Sequence, residues 1–69
     1  MVEVFKTNVD EPDQSDRLIR QLYAHFPDCR INFDLEDCDK VLRVEGIEVC
    51  PQTIISIMNK SGFQCLVLE

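Results

Sequence analysis

Phe5-Lys6-Thr7-Asn8-Val9-Asp10-Glu11-Pro12-Asp13-Gln14-Ser15-Asp16-Arg17-Leu18 holds the signals for a first strand, a loop and a first helix. Val2 to Val9 is rich in β-formers and alternates, which predicts a strand with Phe5, Thr7 and Val9 on its core face. Pro12 marks a helix start, because proline suits the first helical position, where its missing N–H costs nothing. Asp13 and Asp16 then fall in the first turns, where carboxylates complement the helix dipole. Ser15 offers an alternative cap for a helix that starts later. The stretch is therefore a strand, an acidic loop and a helix start, and a strand–helix unit this small builds its sites in that loop.

Leu18, Ile19, Leu22, Tyr23 and Phe26 lie on one face of a helix, with Arg17, Arg20 and Gln21 opposite. Pro27 forbids continuation and ends that helix near His25. Ile31, Phe33 and Leu35 alternate with Arg30, Asn32, Asp34 and Glu36 as a half-buried strand. Glu36-Asp37-Cys38-Asp39 is a polar turn leading into a third strand from Val41 to Glu45, with Leu42 and Val44 inward. Gly46 ends it. Cys50-Pro51 then repeats the strand-to-helix punctuation, Ile54, Ile55, Ile57 and Met58 form a second apolar face, and Ser61-Gly62 is its stop. Cys65 to Leu68 is a last strand.

The order β-α-β-β-α-β predicts an α+β, ferredoxin-like split βαβ sandwich: a four-stranded antiparallel sheet with both helices on one face. Right-handed crossovers put strands 1 and 3 in the centre, strand 4 beside 1 and strand 2 beside 3. At 69 residues the expectation is one domain spanning residues 1–69, with Leu68-Glu69 set aside as a vector-derived remnant.

The balance of charge narrows the partners. Seven basic against thirteen acidic residues give a net charge of −6, which disfavours nucleic acid and anionic membranes. No apolar run is long enough to span a bilayer, and the N-terminus lacks a basic-then-apolar leader, so a cytoplasmic location is expected. Cys29, Cys38, Cys50 and Cys65 are separated by 9, 12 and 15 residues. No C-x-x-C pair exists, so free structural thiols are expected rather than a zinc or redox site. With one histidine and no Ser-His-Asp set, phosphate loop or dinucleotide fingerprint, an enzyme is not expected.

The predicted topology sorts the polar residues between two ends. Asp10, Glu11, Asp13, Asp16, Asp34, Glu36, Asp37 and Asp39 gather at the upper end, with the Lys60-Ser61-Gly62-Phe63 turn, Cys38 and Cys65. His25, Cys29 and Cys50 belong to the lower end, where Cys29 and Cys50 come within reach of each other.

Three segments also carry a resemblance: Phe5-Lys6-Thr7-Asn8-Val9 before the loop, Asp37-Cys38-Asp39-Lys40-Val41-Leu42-Arg43-Val44-Glu45 on the hairpin, and Ile54-Ile55 with Ser61-Gly62-Phe63 around helix 2. With the element order, they resemble the heavy-metal-associated domain of copper chaperones and metal-pumping ATPases over essentially the whole chain. The resemblance implies Cu(I) binding by a C-x-x-C pair in the loop after strand 1. Here Glu11 and Gln14 occupy the matching positions, with Pro12 and Asp13 between, so the thiolate site does not carry over.

The functional expectation is a degenerate member acting as a small acidic protein-interaction or regulatory module. It has no resident cofactor and takes a partner with a basic docking face. Its docking residues are Asp10, Glu11, Asp13, Asp37, Asp39, Lys60 and Phe63. The alternative is a metal ion held by Asp10, Glu11 and Asp13, or by Cys38 and Cys65. A third reading is a homodimer paired through the edge of strand 2 or strand 4.

Overall fold

The computed structural model describes residues 1–68. Its elements are β1 (Val2–Thr7), α1 (Pro12–His25), β2 (Arg30–Asp34), β3 (Val41–Glu45), α2 (Pro51–Lys60) and β4 (Cys65–Val67). The strands form one antiparallel sheet in the order β2-β3-β1-β4, so β1 and β3 are central as the crossover rule requires. The α+β, ferredoxin-like arrangement expected from the element order is the one observed.

Register explains which side chains are buried. Phe33, Leu42 and Phe5 pair across three strands in one row, and Ile31 pairs with Val44 in the next. Residues opposite one another in a ladder share a face. That face carries Phe5, Thr7, Ile31, Leu42 and Val44, all buried, beneath Leu18 and Leu22 of α1 and Ile54 and Met58 of α2. The rows between them, Val4–Arg43–Asn32 and Lys6–Leu66, belong to the opposite, open face.

Element ends differ from the sequence pattern by one or two residues, each for a local reason. β1 stops at Thr7 although Val9 is buried, because the Asn8 side chain accepts the Gln64 N–H at 2.8 Å in place of a ladder bond. β2 stops at Asp34 although Leu35 keeps the alternation. The Asp34 carboxylate accepts the Glu36 N–H at 3.3 Å and turns the chain. Ser15 does not cap a later start: it lies inside α1, buried, with its hydroxyl donating to Pro12 O at 2.8 Å.

The stop of α2 is as the sequence implies. Gly62 has φ +91°, and the Phe63 N–H donates to Met58 O at 3.0 Å across it, so the left-handed residue closes the last turn. Of the terminal pair set aside above, Leu68 donates its N–H to Val4 O at 2.8 Å and so continues the β1–β4 pairing. Glu69 lies outside the described residues.

Candidate functional site

The acidic loop after β1 is occupied by a helix cap. Glu11 is the N-cap of α1 and forms a capping box with Gln14. The Gln14 carbonyl oxygen Oε1 accepts the N–H of Glu11 at 3.3 Å and of Asp10 at 3.4 Å. These are the two positions that the resemblance matches to a thiolate pair. Their polar atoms satisfy the first helical turn, and neither supplies a soft ligand. A Cu(I) thiolate site therefore does not fit here.

Backbone bonds tie this loop to the hairpin turn. Thr7 N–H donates to Asp39 O at 3.0 Å, and the buried Thr7 hydroxyl donates to Lys40 O while accepting the Val9 N–H at 3.3 Å. Lys40 takes a left-handed conformation, φ +46°, which lets its carbonyl turn toward Thr7. Its ammonium donates to Leu35 O at 2.9 Å and lies 4.0 Å from the Asp10 carboxylate. Lys6 lies 3.7 Å from Asp39. The expected upper end is real: the β1–α1 loop and the β2–β3 turn form one surface.

A shallow concavity of about 500 Å³ opens beside it, between the start of α1 and the end of α2. Its lining includes the apolar Leu18 and Phe63, the carboxylates Glu11 and Asp13, and the cations Arg17 and Lys60. The Ser61 hydroxyl donates to Gln21 Oε1 at 2.8 Å, joining the two helices there. Of the expected docking residues, Glu11, Asp13, Lys60 and Phe63 line this hollow, and Asp10, Asp37 and Asp39 lie on the loop and turn alongside.

The metal candidates are distributed differently from the expectation. Among the described residues, Asp37, Cys38 and Asp39 are the one set of three whose ligand atoms lie within 4.8 Å of one another. Asp10, Glu11 and Asp13 do not converge in this way. Cys38 is exposed, whereas Cys65 is in the core, and burial pushes its thiol up to about 12. A buried neutral thiol resists the deprotonation that metal binding requires.

At the lower end the structure does bring His25, Cys29 and Cys50 to one cleft of about 630 Å³, together with Met1 and Ile47. Their ligand atoms do not form a set of three within 4.8 Å. His25 Nδ1 is 3.1 Å from Gln21 O, and the buried Cys29 thiol is 3.9 Å from Glu48 O. Cys50 is the exposed N-cap of α2, and its thiol is held below the usual value, first by the Thr53 side chain and then by backbone N–H groups of Thr53 and Gln52. The sequence reading missed the apolar wall of this cleft. The available signal was Ile47, a large apolar residue between Gly46 and Glu48, which is 95% exposed.

No protein-family model, curated protein or solved structure matches this chain.

Proposed function

We propose that this chain is a small acidic docking module, a heavy-metal-associated-like domain whose metal loop has become a recognition surface for a protein with a basic face. The observation that carries the reading is the clamped upper end. Thr7 fixes the hairpin turn to β1, and Gln14 fixes the loop to α1. A surface already ordered before binding loses little conformational entropy on association. Its carboxylates outnumber its cations: Asp10, Glu11, Asp13, Asp16, Asp34 and Glu36 are exposed, Lys6 and Lys40 already face Asp39 and Asp10, and Arg17 and Lys60 are the two other cations there. Such a rim raises association rates with a cationic partner and weakens as salt screens it. The module works in the cytoplasm and is not an enzyme; no helix is long and apolar enough to cross a membrane.

Titrating labelled protein with a lysine-rich peptide tests this. Amide shifts are expected at Asp10–Gln14, Asp37–Asp39 and Lys60–Phe63, lost together in high salt and in the Asp10→Asn/Asp13→Asn/Asp16→Asn variant. Shifts confined to the lower cleft, or binding indifferent to salt, would refute it.

A second reading, metal-ion binding, is favoured by one observation: the convergence of Asp37, Cys38 and Asp39. One thiolate with carboxylates suits a borderline ion such as Zn²⁺ better than Cu(I). Native mass spectrometry after incubation with Zn²⁺, compared with Cys38→Ser, decides it; apo protein alone in both samples removes this reading.

A further inference from the structure

Charge is spread unevenly along this chain, and the fold turns that into a neutral side. Residues 49–69 contain two charged side chains of opposite sign, Lys60 and Glu69, whereas residues 1–48 contain eighteen and carry the whole net charge of −6. Those last residues build α2 and β4, which pack together at one edge of the sheet. In a molecule of net charge −6, this is the side where a second copy meets least repulsion.

The edge there is also free to pair. The Leu68 N–H reaches Val4 O at 2.8 Å and the Gln64 N–H reaches Asn8 at 2.8 Å, so even-numbered residues turn their peptide groups toward β1. Cys65 and Val67 turn theirs outward. Leu66 is 64% exposed and Val67 43%. The opposite edge is guarded: the outward Ile31 N–H of β2 donates to the Tyr23 hydroxyl at 3.3 Å, and the open face of β2 carries Arg30, Asn32 and Asp34. Covered donors and charged side chains are how edge strands avoid pairing, and among the described residues β4, Cys65–Val67, has neither.

We propose that β4 pairs antiparallel with β4 of a second copy, about a two-fold axis through Leu66, to give a continuous eight-stranded sheet. Cys65 then exchanges both hydrogen bonds with Val67 of the second copy, and Leu66 meets Leu66 on the open face. The contact is isologous, which a single uncharged strand satisfies by itself. A three-residue strand buries far less than the roughly 1,600 Å² of a stable dimer, so association is weak and rapidly reversible. This surface is distinct from the acidic docking end, and either proposal stands without the other.

Sedimentation velocity across a concentration series tests it, with amide shifts followed in the same samples. The sedimentation coefficient is expected to rise with concentration, with the Cys65 and Val67 amides moving most. Leu66→Glu sits across from Lys6 within one copy, so the monomer gains an opposite-charge pair, while two glutamates would oppose each other at the axis. Like charges placed opposite are destabilising, and association is expected to fall by roughly tenfold or more. Val67→Pro removes an outward N–H without touching the β1 ladder and should give a comparable loss. Asn32→Glu on β2 places the same single charge across from Arg43 and should leave association unchanged. A monomer at millimolar concentration, unchanged association in both folded β4 variants, or loss of association in Asn32→Glu would overturn the proposal.

Discussion

Gly46→Ala is expected to destabilise this protein severely, through one atom. Gly46 closes β3 and donates its N–H to Met1 O at 2.9 Å, so its backbone is pinned. A methyl group added there would sit 2.5 Å from Cys29 Sγ, with Cys29 Cβ at 3.4 Å and Cα at 3.5 Å. Nonbonded carbons settle at about 3.5–4.0 Å, so the sulfur contact is about 1 Å too short. Cys29 is buried, and swinging its thiol aside forfeits its packing and its approach to Glu48 O. Overpacking of this kind costs about 1–3 kcal/mol. At roughly 0.05–0.15 kcal/mol per residue, this chain has only about 3–10 kcal/mol in all. A 2 kcal/mol loss should lower Tm by about 8–16 °C in a domain of this size. The second arm is Cys29→Ala, which removes the obstructing sulfur and alone costs about 1 kcal/mol. In the double variant the nearest atoms are at ordinary to tight contact, so its cost should approach that of Cys29→Ala alone. Urea unfolding of the four proteins measures the coupling, expected at about 1–2 kcal/mol. Additive losses, or a Gly46→Ala change within about 0.5 kcal/mol of the parent, would refute the steric account.

Three further outcomes are expected. The Cys65 thiol has its folded value raised from 9.0 to about 12. It therefore favours folding below pH 9, and that contribution is lost as pH rises from 9 toward 12. Denaturation curves of the parent and Cys65→Ala should converge over that interval, and a constant difference would count against it. Cys50 should be alkylated by iodoacetamide before the other thiols near neutral pH, and Thr53→Val should slow it; equal rates in both proteins would contradict the assigned cause. Thr7→Val keeps the shape but strands the Lys40 carbonyl and the Val9 N–H. A loss of about 2 kcal/mol is expected, with hydrogen exchange accelerating at Val9, Asp39 and Lys40.

The topology was legible because each boundary has a local chemical cause. Pro12 and Pro51 begin helices, Gly62 ends one, and Leu42 and Val44 alternate with charged neighbours as a half-buried strand must. The crossover rule then ordered the strands. What escaped the sequence was contact between residues far apart in the chain. Nothing near Tyr23 says that its hydroxyl meets the Ile31 N–H, and nothing near Gly46 says that Cys29 leaves no room for a side chain. The clustering of acidic loops at one end was legible from topology alone. The convergence of Asp37, Cys38 and Asp39, rather than Asp10, Glu11 and Asp13, depends on how tightly the hairpin turns. That tightness comes from Lys40 in a left-handed conformation, which a lysine does not announce.

The capping box bears on function because it gives the loop a reason to keep its residues without a metal. Gln14 satisfies the Asp10 and Glu11 N–H groups, and Pro12 needs no partner, so the helix start is complete. Introducing thiols with Glu11→Cys/Gln14→Cys would remove that cap, at a cost of about 1 kcal/mol in the apo state. If the loop presents positions 11 and 14 to a common ion, the same variant should bind Cu(I), and the metal should return more stability than the lost cap, because a ligand held only by the folded chain stabilises it. Thermal unfolding with and without Cu(I) measures both terms in one protein. A variant that is destabilised as apo protein and gains nothing from Cu(I) would show that the loop does not present positions 11 and 14 to a common ion. The acidic surface would then owe nothing to a metal-binding geometry.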